Sequence, residues 1–177
     1  MTFDFESGEV LLIDKPVGWT SFDVVNHLRV LVRRHLNIPK LKVGHAGTLD
    51  PLATGLLIVC TGKMTKQIQM FQDQDKTYIG TLKLGITTPS YDLETEINQT
   101  FSINHIDENL IQNTLVQFIG EIDQKPPVFS AIKKDGIRMY EHARAGAEIE
   151  MDSRKTTIHE FEITRIELPE IDFRVVC

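Results

Sequence analysis

One segment of the sequence combines residue types that can carry out acid–base or nucleophilic chemistry. Residues 44–55 read GHAGTLDPLATG and hold His45 and Asp50 among three glycines and a proline. Taken alone, an Asp followed by Pro is typical of a turn, in which the Asp side chain bonds nearby backbone N–H groups. Here the glycines let the backbone approach a ligand, His45 offers a flat ring for stacking, and basic flanks favour an ionised, nucleophilic carboxylate. The segment therefore predicts a catalytic carboxylate at Asp50.

The charges of the chain are strongly segregated along the sequence. The net charge of −6 over 177 residues, taken alone, argues against a polyanionic partner. Residues 91–123, however, carry seven acidic side chains and no Lys or Arg, whereas residues 29–66 have a net charge of +6. The cations of this basic segment are Arg29, Arg33, Arg34, Lys40, Lys42, Lys63 and Lys66. Such segregation predicts one basic face, on which Lys63, Lys66, Arg33 and Arg34 are candidate phosphate contacts.

Two other kinds of site are excluded by spacing. A phosphate-binding P-loop needs four residues between its glycines, but Gly55 and Gly62 have six residues between them, which form an apolar run. Met64 also stands where that motif has a hydroxyl side chain. His45 and Asp50 lack a third metal ligand nearby, and neither cysteine has a partner at metal-ligand spacing. The sequence predicts neither a metal nor a cofactor.

The elements that must position these residues follow from the apolar periodicity. Residues 9–14 form a predicted strand that enters a turn exposing Lys15, and Thr20 or Ser21 caps an amphipathic helix with a basic outer face. A short extended segment at 41–43 precedes the loop, and a strand at 56–60, a helix at 63–72 and a strand at 76–86 follow it. Further on, the patterns predict helices at 107–118 and up to 146, and strands at 130–133, 155–168 and 171–177.

These elements indicate an α+β fold, with a mixed, mostly antiparallel sheet flanked by helices. The length of 177 residues is typical of one domain, which we expect to span 1–177. We see no apolar run of membrane-spanning length and no secretory signal at the acidic N-terminus, so we expect a cytoplasmic protein.

Four segments resemble the signature segments of the TruB-type pseudouridine synthases. They are DKPVGWTSFDVV at 14–25, GHAGTLDPLATGLLIVCTGKMTK at 44–66, KTYIG at 76–80 and QKPPVFSAIKKDGIRMYEHARAG at 124–146. The resemblance implies a pseudouridine synthase catalytic fold and an enzyme that isomerises uridine to pseudouridine in the tRNA T-loop, at the conventional position 55. It implies tRNA as the partner, without a metal, a cofactor, a membrane or a protein partner.

The resemblance also implies roles for individual residues. The catalytic aspartate falls on Asp50, which would attack the ribose C1′ or the base C6, or stabilise a glycal-like path. His45 would displace and hold the T-loop, Tyr78 would pack against the flipped uracil, and Lys15 would bind substrate beside the catalytic loop. A non-catalytic RNA-binding module and a structural domain without an RNA role remain alternatives.

The sequence departs from the family pattern at its C-terminus. Members of the family continue past a cysteine like Cys177 into a segment with a second tyrosine and an arginine that pairs with the catalytic aspartate. We therefore expect this chain to be a truncated catalytic domain, without an RNA-binding accessory domain, and with little or no activity.

Overall fold

The computed structural model describes residues 3–126, 133–134, 137–138 and 152–177. The chain divides into two compact units, Met1–Gln74 and Asp75–Cys177, here called unit 1 and unit 2. Helices and antiparallel strand pairs build both units, which confirms the predicted α+β class. Every strand pair that the structure describes is antiparallel. The prediction of one catalytic domain over 1–177 stays a prediction.

Unit 1 is a three-stranded sheet with helices. Its elements are β1 (Val10–Lys15), α1 (Ser21–Leu36), β2 (Val43–His45), β3 (Gly55–Thr61), a 3-10 helix (Gly62–Gln67) and α2 (Ile68–Gln72). The strand order is β1-β3-β2, so β3 lies in the centre and pairs with both neighbours. The segment between β2 and β3 therefore connects two adjacent strands and is held at both ends by the same sheet.

The core of unit 1 lies between α1 and β3. Val24 and Val25 of α1 pack with Leu57 and Val59 of β3, and none of the four is more than 4% exposed. The spacing of three and four residues places the apolar side chains of α1 on one side of the helix. Burial of each such side chain stabilises the fold by roughly 1.5–3 kcal/mol. This packing fixes α1 relative to the strand that leaves the loop.

The first turn of α1 shows why the helix begins where it does. Thr20 is the N-cap: its side chain accepts from the Asp23 N–H, while Asp23 accepts from the Thr20 N–H, so the two form a capping box. The helix ends at Asn37, which adopts the left-handed conformation with φ 52°. The predicted helix is thus confirmed, and Thr20, not Ser21, is its cap.

Unit 2 contains the remaining strands. Its elements are β4 (Thr77–Lys83), β5 (Ile86–Thr87), β6 (Gln99–Thr100), α3 (Glu108–Leu115), a 3-10 helix (Val116–Phe118), β7 (Gly120–Gln124), β8 (Lys133–Lys134), β9 (Ile137–Arg138), β10 (Arg154–Ile158), β11 (Glu160–Glu167) and β12 (Glu170–Val176). The largest sheet has the order β11-β12-β4, and three two-stranded sheets are formed by β10-β7, β5-β6 and β8-β9.

One face of the β11-β12-β4 sheet carries an aromatic cluster. The ring of Phe173 packs edge-on against Phe161, which packs in turn against Phe118, at centroid distances of 5.8 and 6.3 Å. A Cβ added at Gly80 of β4 would lie 2.8 Å from the Phe173 ring. Glycine at this position therefore leaves the space that the Phe173 ring occupies.

The structure differs from the sequence predictions in three elements. The predicted strand at 76–86 ends at Lys83, and Ile86–Thr87 is a separate strand that pairs with β6. The predicted helix at 63–72 begins as the 3-10 helix and becomes α-helical only at Ile68, with Thr65 bonding back to the Gly62 carbonyl. The predicted strand at 155–168 is two strands, because β10 pairs with β7 whereas β11 pairs with β12. The predicted helix up to 146 and most of the predicted strand at 130–133 lie outside the described residues.

Candidate active site

Asp50 lies in the loop that joins β2 to β3 and is exposed. Its carbonyl accepts from the Ala53 N–H at 3.0 Å, which closes a turn over Pro51. At the start of the loop, the N–H of the buried Ala46 donates to the Ile58 carbonyl at 2.9 Å. The loop is thus fixed to β3 and presents Asp50 from a folded turn.

A second set of contacts ties the loop to the segment that leads into α1. The Ser21 hydroxyl is 2% exposed; it accepts from the Leu49 N–H at 2.9 Å and donates to the Leu49 carbonyl at 3.2 Å. The Gly18 N–H donates to the Pro51 carbonyl at 2.8 Å. The residues immediately before and after Asp50 are therefore both held by this segment.

Ser21 and Gly18 were not predicted as site residues. Ser21 was considered only as a possible cap, since Ser and Thr both favour that position. The available signal was the adjacent pair Thr20–Ser21: one hydroxyl is sufficient for the cap, which leaves the second for another contact.

The ring of His45 is oriented by a hydrogen bond within the same loop. Its Nδ1 lies 2.5 Å from the Gly47 carbonyl oxygen. A carbonyl oxygen can only accept, so Nδ1 carries the proton and Nε2 is the other ring nitrogen available to a ligand. Gly47 has φ 133°, a conformation that favours glycine, and this backbone places its carbonyl for the bond.

Lys15, by contrast, is not exposed as predicted, and that prediction is wrong. The residue is 0% exposed, and its Nζ donates to the Trp19 carbonyl at 2.6 Å and to the Pro16 carbonyl at 3.0 Å. The ammonium group thus bonds the backbone of the turn between β1 and α1, the same turn whose Gly18 holds Pro51. Charge-assisted bonds of this kind are stronger than neutral ones.

Tyr78 lies in unit 2, on β4, where it is 43% exposed and pairs across the sheet with Val175. Asp50, His45 and Lys15 all lie in unit 1. The structure thus brings three of the four predicted site residues together in one unit, and places the fourth on a strand of the other.

The basic segment of unit 1 is free of ion pairs in the described part of the chain. All described salt bridges join residues of unit 2, such as Arg165 with Asp172 at 2.6 Å and Arg174 with Glu160 at 2.6 Å. None of the seven cations between residues 29 and 66 has a carboxylate partner there. Unpaired cations are available to phosphate groups, and their mutual repulsion falls when a polyanion binds.

Residues 3–126, 133–134, 137–138 and 152–177 contain no cluster of three or more His, Cys, Asp or Glu side chains that could hold a metal ion. The same residues contain no helix long and apolar enough to cross a membrane.

Comparison with solved structures places the fold. The chain superposes on the crystal structure of a Cbf5–Nop10–Gar1 complex with a TM-score of 0.64 and 28% identity, over 97% of this chain and 40% of that one. A structure of an H/ACA RNP bound to a substrate RNA containing 2′-deoxyuridine matches with a TM-score of 0.60 and 25% identity, over 97% of this chain and 38% of that one. This chain spans about 40% of the length of these neighbours. Its fold is the catalytic fold of the pseudouridine synthases.

Comparison of sequences defines the family. Residues 33–177 match the model of the TruB family pseudouridylate synthases, N-terminal domain. The chain is 67% identical to the tRNA pseudouridine synthase B of Flavobacterium johnsoniae over 98% of this chain and 76% of the relative. It is 55% identical to the protein of the same name from Bacteroides fragilis over 98% of this chain and 75% of the relative. The chain therefore belongs to the TruB family of pseudouridylate synthases, a family of enzymes, and the predicted resemblance is confirmed.

Proposed function

We propose that this protein isomerises uridine to pseudouridine in the T-loop of tRNA, with Asp50 as the catalytic carboxylate and without a cofactor. The observation that carries the proposal is the fixation of the Asp50 loop on both sides of the carboxylate. Leu49 is held by Ser21 and Pro51 is held by Gly18. A reactive group on a rigid turn loses little conformational freedom when the substrate arrives. Relatives named tRNA pseudouridine synthase B support tRNA as the substrate.

The reaction requires the bond between uracil N1 and ribose C1′ to break, the base to rotate, and C5 to bond to C1′, with loss of the C5 proton and uptake of a proton at N1. A carboxylate at the tip of an exposed turn can attack C1′ or C6, or stabilise a glycal-like path, and all three begin with Asp50 ionised. The target base must leave its stack to reach such a group.

We assign supporting roles to the three other predicted residues. His45, with Nδ1 bonded to Gly47, would hold the displaced loop of the RNA through its ring face and Nε2. Tyr78 would pack against the flipped uracil. Lys15, whose ammonium group is buried against two carbonyls, would serve substrate binding indirectly by holding the turn. The unpaired cations of unit 1 would contact phosphates, and we place the reaction in the cytoplasm.

Release of tritium from tRNA labelled at uracil C5 tests the proposal. The Asp50→Asn variant should release tritium at least about a thousandfold more slowly, because the amide is a poor nucleophile. Asp14→Asn, which changes an exposed carboxylate of β1, is the matched control and should release tritium normally. Undiminished release by Asp50→Asn would refute the assignment of the catalytic residue.

The unpaired cations also fit a second function, a non-catalytic RNA-binding module. In that case tRNA binding would depend on salt and survive Asp50→Ala, and no turnover would appear even in a version of the protein that continues past Cys177. Tritium release by the wild-type protein excludes this alternative.

A further inference from the structure

An open groove runs along the solvent-facing side of the first half of α1. Its volume is about 430 Å³, and it is lined by Gly18, Trp19, Asp23, Asn26, His27 and Val30. The Trp19 side chain keeps 38% of its surface exposed, and the His27 ring meets the indole edge-on at a centroid distance of 5.5 Å. The groove is open to solvent, so a planar ligand would lie against its wall and not be enclosed by it. The groove thus presents an aromatic wall to a planar ligand.

The polar side chains of the groove are suited to the edge of a base. The Asn26 Oδ1 lies 3.5 Å from Arg29 Nη1, which directs the amide oxygen towards the guanidinium group and leaves the Nδ2 donors for a ligand. Asp23 is engaged by the Thr20 N–H at 2.8 Å and by the Thr20 hydroxyl at 2.6 Å. Its carboxylate is therefore committed to the helix cap, which weakens its repulsion of an anionic ligand.

A positively charged side chain, Arg34, lies beyond the end of the groove on α1. Arg34 follows Val30 by four residues on α1 and so lies on the same side of the helix, one turn further on. It forms no ion pair within the described part of the chain. A phosphate attached to a base in the groove would lie towards this unpaired guanidinium group.

The groove is connected to the catalytic loop through the backbone. Gly18 donates to the carbonyl of Pro51, the residue after Asp50, and the Trp19 carbonyl accepts from the buried Lys15. The turn that carries Trp19 is therefore fixed to the turn that carries Asp50. An RNA chain bound with one nucleotide at Asp50 has neighbouring nucleotides within reach of Trp19.

We propose that this groove is a second nucleobase-binding site, for an unpaired base of the RNA substrate other than the target uridine. The base stacks on Trp19, the Asn26 amide bonds its edge, and Arg34 contacts the adjoining phosphate. This inference rests on the proposed function, because it assumes an RNA substrate at Asp50. It adds a base-stacking element, built on Trp19 and Asn26, to the roles of Asp50, His45 and Tyr78.

Trp19 makes the test direct, because it is the only tryptophan of the chain. Titration with an unmodified tRNA transcript, and with its isolated T-arm stem–loop, should change the Trp19 emission. That change should saturate with the same Kd as the anisotropy of labelled RNA. A series of stem–loops with one abasic nucleotide each should contain one member that binds but leaves the emission unchanged, and this member identifies the stacked base.

Substitutions of Trp19 distinguish aromatic stacking from simple apolar contact. Trp19→Leu should raise the Kd about tenfold, as expected for loss of one base–aromatic stack, whereas Trp19→Phe should keep most of the affinity. In tritium release, Trp19→Leu should raise KM and leave kcat unchanged, because the groove holds a base remote from the reacting bond. Phe22→Leu is the matched control: Phe22 is 58% exposed on the same helix but does not line the groove, so its Kd should be that of the wild type.

The outcomes distinguish the groove from the reaction. RNA that binds without any change in Trp19 emission, or a folded Trp19→Leu variant with the wild-type Kd, would overturn the groove and leave the proposed function standing. An emission change with normal binding, but no tritium release even by a version of the protein that continues past Cys177, would support the groove and contradict the proposed chemistry. If Trp19→Leu does not fold, Asn26→Ala at an exposed position replaces it, and an unchanged Kd there would overturn the groove.

Discussion

Replacement of Ser21 by Ala should weaken both the fold and the reaction, because Ser21 joins α1 to the catalytic loop. The substitution removes one hydrogen bond to the Leu49 N–H at 2.9 Å and one to its carbonyl at 3.2 Å. An ordinary hydrogen bond contributes about 1 kcal/mol net, and a buried group left unpaired costs about 1–3 kcal/mol. Leu49 is half-buried, so water reaches part of it, and we expect the free energy of unfolding to fall by about 2 kcal/mol. For a chain of 177 residues this corresponds to a Tm lower by about 4–8 °C.

The effect on the reaction follows from the position of Leu49, one residue before Asp50. Loss of the clamp lets the carboxylate leave its productive position, and a displacement of about 1 Å can slow a reaction about 100-fold. We expect tritium release under single-turnover conditions to slow by roughly 10- to 100-fold, with RNA affinity nearly unchanged.

Thr20→Ala is the control for this experiment. It breaks the capping box and costs about 1 kcal/mol of stability, yet leaves both Ser21 bonds intact, so its rate should stay near that of the wild type. The reasoning fails if Ser21→Ala melts and reacts like the wild type, or if Thr20→Ala slows the reaction as much as Ser21→Ala does.

Two further predictions concern buried and paired charges. Lys15→Met should lower the free energy of unfolding by about 1–3 kcal/mol in chemical denaturation, because it leaves two backbone carbonyls unpaired. The control Lys42→Met, at an exposed position, should change the free energy of unfolding little. Equal effects of the two substitutions would contradict the role of the buried ammonium group. In unit 2, the hydrogen bond from Arg165 lowers the pKa of Asp172 below its ordinary value of 3.8. The resulting stabilisation is present above about pH 3.8 and is lost as the pH falls through the lower pKa of the folded state, so Asp172→Asn should flatten the acid limb of a Tm-against-pH curve. An unchanged acid limb in Asp172→Asn would count against this assignment.

The elements of unit 1 could be predicted from the sequence because each has a local signal. The apolar spacing of α1, its hydroxyl cap and Asn37 at its end are all readable within one or two turns. The short strand β1 was likewise predicted from its apolar run and the turn residues after it. Local patterns reveal elements whose boundaries are set by local contacts.

The features that could not be predicted depend on how the backbone of a turn folds or on partners distant in the sequence. The burial of Lys15 follows from the fold of the turn after it, which brings the Pro16 and Trp19 carbonyls to its Nζ. A charged residue in a turn with Pro and Gly is ordinarily exposed, so the sequence predicted an exposed Lys15. Similarly, the break between β10 and β11 reflects a change of pairing strand, which period-two alternation cannot encode.

For the candidate site, the sequence indicated the loop, Asp50 and the family, but not how the loop is held. The family could be predicted from a series of short motifs, because each motif is continuous in the sequence. The matching relatives confirm the family. The contacts of Ser21 and Gly18 with Leu49 and Pro51 span about thirty residues and arise only when α1 packs on β3. The assignment of catalytic and binding roles stays a proposal that the experiments above address.

The separation of ion pairs between the two units has a thermodynamic consequence. Unit 2 neutralises many of its charges internally, whereas unit 1 holds seven cations within residues 29–66 without a carboxylate partner in the described chain. A polyanion that binds these cations binds the folded unit, so its binding and the folding of this unit are linked equilibria. If these cations bind RNA as proposed, the concentration of RNA becomes one of the variables that set how much of the protein is folded.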